Sequence, residues 1–239
     1  MTCQAKERFS KDSIQQLIAA INQKYDMADS LHYEVQRSTT SQEGTVKDSW
    51  TFSYLSPSSI RIDYGKPSPR LIIITRNEIW EYLEEPNAAM RTDLSGSSQS
   101  EHAAAFSNVI MRVAIPGLKP GTFDQILSRK FKTSFEDPIL TVHREKAPKF
   151  KLKIDTEREI LLLTEIYNKD GQLEIKSSTS KHKEVAPGFW FPQQIKNTMK
   201  TDIGFVSSQV QLSNIAVNRP FPKKHFIFNK PNNLKLIEK

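Results

Sequence analysis

Histidine is the side chain best suited to move a proton or hold a metal near neutral pH. This chain has five, His32, His102, His143, His182 and His225, and none stands four residues from another. No helix can therefore present two of them to one ion. His-Glu-x-x-His, the glycine-rich phosphate loop and the Gly-x-Ser-x-Gly elbow are all absent from the sequence. Eight glycines in the whole chain are too few for a nucleotide cradle. Asp63, Glu136 and Asp137 can be drawn as paired carboxylates, but they flank strand-like runs, where acids ordinarily face water. Cys3, the single cysteine, rules out an internal disulfide framework and a thiolate metal cluster. These residues predict no metal site, no cofactor and no nucleophile–base pair. The chain reads as a binder and not as an enzyme.

What the sequence does concentrate is apolar surface. Trp50, Phe52, Tyr54, Tyr64, Trp80, Tyr82, Phe189, Trp190, Phe191 and Phe205 all fall on strand-like runs. Any one of them fits plain sheet core. As a set they predict a wide greasy surface, joined by Ile60 and Ile62, with Phe106, Val109, Ile110 and Val113 on a helical segment that covers it. Wide sheets curl. With few helices to fill the hollow, the unfilled part is expected to be a hydrophobic cavity suited to a small molecule or an acyl chain.

The elements that must position these residues are mostly short strands. Thr45–Tyr54, Ser59–Tyr64, Arg70–Thr75, Glu78–Leu83 and Ala88–Asp93 follow one another too closely for parallel crossovers, so they predict an antiparallel meander. Leu31–Thr40 precedes them, with Leu31, Tyr33 and Val35 on one side. Leu71–Ile74 is apolar on both faces and calls for cover on both. Two helices are candidates for that cover: one from about Lys11 to Asp26, with Ile14, Leu17, Ile18, Ile21 and Tyr25 at helical spacing, and Gln99–Ile115. Residues Ser95–Arg129, with glycines and prolines at 116–121, read as a helical lid inserted between strand blocks. A second run follows: Lys130–Glu136, Ile139–Arg144, Phe150–Thr156, Glu159–Asn168, Leu173–Lys181, Phe189–Lys200 and Phe205–Val217. Asp170-Gly171 marks a hairpin tip, and Lys183–Gly188 reads as a longer connection. Phe226–Phe228 is a further short strand, after which the tail is expected to fray.

The predicted fold is thus mainly β, with about twelve strands and two or three helices. Residues 10–228 form one domain that includes the 95–129 lid, and 229–239 form a tail. The chain has 239 residues, 37% hydrophobic and 26% charged, an ordinary globular balance. No run approaches the roughly 18 apolar residues of a membrane-spanning helix. A net charge of +7 suits an anionic membrane surface as a partner. Nucleic acid is not expected, because no recognition helix, zinc spacing or aromatic RNA-binding strand is present. The opening Met-Thr-Cys-Gln-Ala has no apolar signal core. That fits either a cytosolic protein or one whose signal has been removed, with Cys3 a free thiol or the acylated cysteine of a lipoprotein.

The order of parts resembles the LolA/LolB-like lipoprotein-carrier family. The residues that carry the resemblance are Trp50-Thr-Phe-Ser-Tyr54, Pro57, Ile60-Arg-Ile-Asp-Tyr64, Pro67, Leu71–Ile74 and Ile79-Trp-Glu-Tyr82. Asp170-Gly171, and Asn218-Arg-Pro-Phe-Pro222 ahead of Phe226-Ile-Phe228, also fit. The resemblance implies a strongly curved, open half-barrel sheet with helices on its concave side. It implies uptake of lipid or lipoprotein acyl chains in the hollow and their carriage across the periplasm toward the outer membrane, without chemical change. A lipid-responsive sensor or scaffold that regulates an envelope protein partner is the other implied role. At the position where carriers place a lid-latching arginine, this chain has Ser56, which puts a latch of that kind in doubt.

Overall fold

The computed structural model describes residues 16–21, 28–96, 132–136, 138–144 and 147–238. They form fourteen strands: β1 Ser30–Ser41, β2 Gly44–Leu55, β3 Ser59–Tyr64, β4 Arg70–Ile74, β5 Glu78–Leu83, β6 Ala88–Asp93, β7 Lys132–Glu136, β8 Ile139–Arg144, β9 Ala147–Asp155, β10 Ile160–Tyr167, β11 Leu173–Ala186, β12 Phe189–Thr201, β13 Gly204–Val217 and β14 Lys235–Glu238. Their hydrogen-bonded order is β14-β6-β5-β4-β3-β2-β1-β13-β12-β11-β10-β9-β8-β7. The order is linear, so the sheet is open. Antiparallel hairpins run from β2 to β6 and from β7 to β12, whereas β14 lies parallel to β6. Among the described residues no helix is long and apolar enough to cross a membrane.

The chain divides into two compact units. Of the described residues, 16–21, 40–44, 132–136, 138–144 and 147–209 belong to one, and 28–39, 45–96 and 210–238 to the other. In the first, residues 16–21 are helical. Leu17, Ile18 and Ile21 pack on a core of Phe135, Leu140, Val142, Leu152, Ile154 and Leu161, joined by Phe150. Helical spacing built that apolar face, and it docks on sheet as the pattern requires. It does so on β7–β10, so the described part of this helix is not the cover expected for Leu71–Ile74. In the second unit, Ile73 instead packs with Trp80, Ala89 and Phe228, flanked by Leu71, Tyr82 and Leu234.

Two further expectations are corrected. β11 continues through Lys183–Ala186, where a connection was expected, because Lys183 pairs with Phe191, Glu184 with Trp190 and Ala186 with Phe189. The turn shrinks to Pro187-Gly188, with Gly188 at a φ of 71° and its N–H donated to Glu184 Oε1 at 2.8 Å. In the tail, Phe226–Phe228 lies in a turn region, not in a strand. The strand comes later, at Lys235–Glu238, where it closes the β6 edge. The short polar tail offered no periodicity, since its partner lies some 150 residues away in sequence. The Asp170-Gly171 hairpin stands as expected. Gly171 has a φ of 76°, and Asn168 Oδ1 accepts the N–H of Asp170 at 2.9 Å and that of Gln172 at 2.9 Å.

Candidate functional site

Residues directly opposite one another in an antiparallel pair share a face. Between β2 and β3 the pairs are Trp50 with Tyr64, Phe52 with Ile62 and Tyr54 with Ile60. Between β3 and β4 they are Ile60 with Ile74, Ile62 with Ile72 and Tyr64 with Arg70. Six of the residues expected to line a cavity therefore stand together: Trp50, Phe52, Tyr54, Ile60, Ile62 and Tyr64. Tyr33 of β1 joins them by stacking on Phe52 at 4.8 Å. Ile60 and Ile62 are fully buried, and Trp50, Phe52, Ile72 and Ile74 are buried too. We call this the aromatic face. Burial drives the Tyr33 phenol far above its ordinary pKa, and neighbouring Tyr64 adds to the rise. It stays neutral at every physiological pH.

Trp80 and Tyr82 do not belong to that set. Trp80 pairs with Ile73 and Arg91, and Tyr82 with Leu71 and Ala89, so both point to the opposite face. There Phe228 of the tail stacks on Trp80 at 4.5 Å and meets Tyr82 at 5.7 Å. The cause is turn length. The β4–β5 turn pairs Ile74 with Ile79, so even-numbered residues of β4 oppose odd-numbered residues of β5. A change in turn length by one residue moves every side chain to the other face. Phe106, Val109, Ile110 and Val113, residues 97–129 of the expected 95–129 lid and Cys3 lie outside the described residues. Of the other strand aromatics, Phe189 and Phe191 are buried in the first unit, whereas Phe205 is exposed.

At the rim of the aromatic face a pocket of about 410 Å³ is lined by Arg37, Val46, Asp48, Tyr64, Arg70 and Leu83, with the turn that carries Gly65 and Pro67 as one wall. That turn folds back tightly. Gly65 donates its N–H to Ser49 O at 2.8 Å, and a Cβ on Gly65 would meet Ser49 Oγ at 3.0 Å. Arg37 donates from Nε to Asp48 Oδ1 at 2.9 Å and from Nη2 to Asp48 Oδ2. Its guanidinium lies 4.9 Å from the Trp50 ring centre. Arg70 lies 4.1 Å over Tyr64, and Trp50 and Tyr64 are themselves 5.6 Å apart. Sequence reasoning missed Arg37, Asp48 and Arg70. Asp48 was visible only as an interruption of the apolar phase on β2, and that interruption marks the pocket.

A polar cluster occupies the opposite face of the same unit. His32 Nδ1 and Ser53 Oγ are 3.0 Å apart, which superficially resembles a base and a nucleophile. Ser53 is 1% exposed, closed in by its neighbours in this structure. Asp63, on the same face, is held by two N–H donors of Arg61 at 2.8 and 2.7 Å. The cluster is built to tie strands together, not to perform acyl transfer. Among the described residues no three His, Cys, Asp or Glu side chains gather as a metal site would require. At the rim of the other face the arrangement offers apolar contact with two stacked guanidiniums, which is binding chemistry.

No family model matches the sequence, and no curated protein matches it. Solved structures do match the fold. A DUF1329 family protein from Desulfovibrio piger superposes with a TM-score of 0.60 at 15% identity, covering 90% of this chain and 96% of that one. A LolA superfamily protein from Nitrosomonas europaea gives 0.55 at 14% identity, with 90% and 97% covered. A domain assigned to outer membrane lipoprotein sorting, from Vibrio parahaemolyticus, gives 0.54 at 12% identity, with 88% and 94% covered. At such identities the likeness is one of fold, and it extends over nearly the whole of each chain. The resemblance expected from the strand pattern is thus met in three dimensions: this chain folds as LolA superfamily proteins do.

Proposed function

We propose that this protein binds lipid or lipoprotein acyl chains on the aromatic face of β1–β4 and carries them across the periplasm toward the outer membrane, leaving them chemically unchanged. The observation that carries this reading is the face itself. Trp50, Phe52, Tyr54, Ile60, Ile62 and Tyr64 form one continuous apolar layer, and Tyr64 at its rim borders a pocket; Ile60 and Ile62 are fully buried, so in this reading an acyl chain reaches them only when their cover moves aside. The fold shared with a lipoprotein-sorting domain supports it. In this reading the sheet curves around the face as a half-barrel. Helices lie on the concave side, and residues 95–129 close over the ligand through Phe106, Val109, Ile110 and Val113. Trp80 and Tyr82 serve the fold from the other side.

The energetics suit ferrying. Each methylene removed from water contributes about 0.8 kcal/mol. A chain of about 16 carbons therefore gains on the order of 10 kcal/mol before the cost of ordering the complex. Release then needs a competing acceptor or an opened lid. Native mass spectrometry of protein purified from cells tests the reading, and a retained lipid of discrete mass is the expected result. Phe106→Asp and Ile110→Asp should each abolish retention while the thermal melting temperature stays within a few degrees. Equal losses of melting temperature and retention would make those residues ordinary core and remove the lid from the proposal.

A further inference from the structure

The rim pocket has a chemistry that acyl-chain binding does not use. Two guanidiniums line it, each over an aromatic ring of the apolar face: Arg37 at 4.9 Å from the Trp50 ring centre and Arg70 at 4.1 Å from that of Tyr64. Cation–π contact of this kind helps hold an arginine in place, and its N–H donors can still act as a fork for a carboxylate or phosphate. The two arginines differ in how far they are already engaged. Arg37 is clamped at two points by Asp48. Arg70 has a single long ion pair, Nη1 to Glu81 Oε1 at 3.5 Å, which is too long for a good hydrogen bond. Among the described residues its donors are thus mostly unused, and the lining residues Arg37, Asp48 and Arg70 sum to one positive charge, with Glu81 just outside the lining. Beside it, Leu83 and Val46 are 41% and 61% exposed, a cost in water that a ligand would relieve.

We propose that this pocket is an anion subsite, in which Arg70 holds the carboxylate or phosphate head of an amphiphile whose chain runs down onto the aromatic face. Asp48 keeps Arg37 fixed as the positive back wall. Leu83, Val46 and Pro67 take the first methylenes below the head. Gly65 keeps its turn close against Ser49, so the wall cannot drift outward. The proposal rests on the acyl-chain reading and adds the polarity of the ligand: one end anionic, seated at the rim, and the other apolar. The volume of about 410 Å³ lies within the range of small-molecule sites.

The test is displacement of an apolar fluorescent probe from the full chain by three lipids with the same acyl group: palmitate, palmitoyl lysophosphatidate and monopalmitoylglycerol. Both anions should bind about tenfold or more tighter than the neutral glyceride, the size of one or two charge-assisted hydrogen bonds. The preference should weaken as salt is raised. The relative strength of palmitate and lysophosphatidate then tells a carboxylate ligand from a phosphate one. Arg70→Gln should bring the ratio of anionic to neutral affinity close to one, and Arg70→Lys should restore part of it. Equal binding of neutral and anionic lipids by the unaltered chain would overturn the subsite and leave the acyl-chain reading standing. So would a preference that survives in Arg70→Gln. Failure of all three lipids to displace the probe would instead remove the acyl-chain reading, and the subsite with it.

Discussion

Asn87 holds a left-handed backbone with a φ of 57° and links three segments through its own atoms. Its Oδ1 accepts from the Tyr82 hydroxyl at 3.2 Å, and its Nδ2 donates to the carbonyls of Asn232 at 3.1 Å and Asn233 at 3.2 Å. Its carbonyl accepts the N–H of Lys235 at 3.1 Å. Asparagine tolerates this backbone better than most residues. Asn87→Ala should lower stability by about 1–3 kcal/mol, since it adds strain and removes the side-chain bonds. Asn87→Gly should cost less, because glycine relieves the strain. Urea unfolding midpoints of the two variants separate the contributions. Little near position 87 announces this role, because apart from Tyr82 the atoms it meets lie some 145 residues away along the chain. The aromatic face was easier to read. Phe52, Ile60 and Ile62 alternate with polar residues, and one buried side of a strand forces that alternation.

At the level of elements, the tail from Arg219 to Glu238 acts as a strap. Phe228 covers Trp80, and β14 occupies the edge of β6. Phe228→Ala should cost about 3–5 kcal/mol and shift tryptophan emission to the red. Truncation after residue 228 should leave the edge of β6 unpaired and raise self-association, measurable by analytical ultracentrifugation. The strap also carries a titrating group. The His225 ring stacks on Phe221 at 4.6 Å, and Arg61 Nη1 donates to the His225 carbonyl at 3.0 Å. Among the described residues its Nε2 is buried without a hydrogen-bond partner. Burial first, then Arg61, His32 and Arg219 push its pKa below the ordinary 6.5, against the pull of Asp63. His32 is lowered in the same way by burial and Arg219, against Glu34 and Asp63. Well above pH 6.5 both rings are neutral whether the chain is folded or not, and they contribute no pH dependence. Below it the unfolded chain takes up protons that the folded chain resists, so stability falls as pH drops from 6.5 through the folded-state values. Urea midpoints at roughly pH 7.5 and 5.5 should show this loss, and His225→Gln should reduce it.

Across the whole molecule, β1 and β13 are neighbours in the sheet although the chain between them holds nearly every other strand. Asn218, just beyond β13, ties this join by accepting the N–H of Asp29 at 2.9 Å and that of Ser30 at 3.4 Å. Joins between distant segments carry a large loop-closure cost before any contact is gained. Refolding from urea should therefore take milliseconds to seconds or longer, as stopped-flow fluorescence of the tryptophans would show. The same pairing explains why a sequence scan finds hairpins readily and the closing strand poorly.

From the sequence alone the strands of both meanders, the hairpin at Asp170-Gly171 and the apolar face of the first helix at Leu17, Ile18 and Ile21 could be read. Those features depend on alternation, turn residues and spacing within a few positions, and near-neighbour sterics and burial decide them. Tertiary structure decided the rest. It separated Trp80 and Tyr82 from the aromatic face, brought Arg37 and Arg70 to one pocket, and moved the tail strand to the edge of β6. Each of these follows from register and from contacts between residues far apart in the chain, where a single residue of turn length reverses the outcome and no local pattern records the partner.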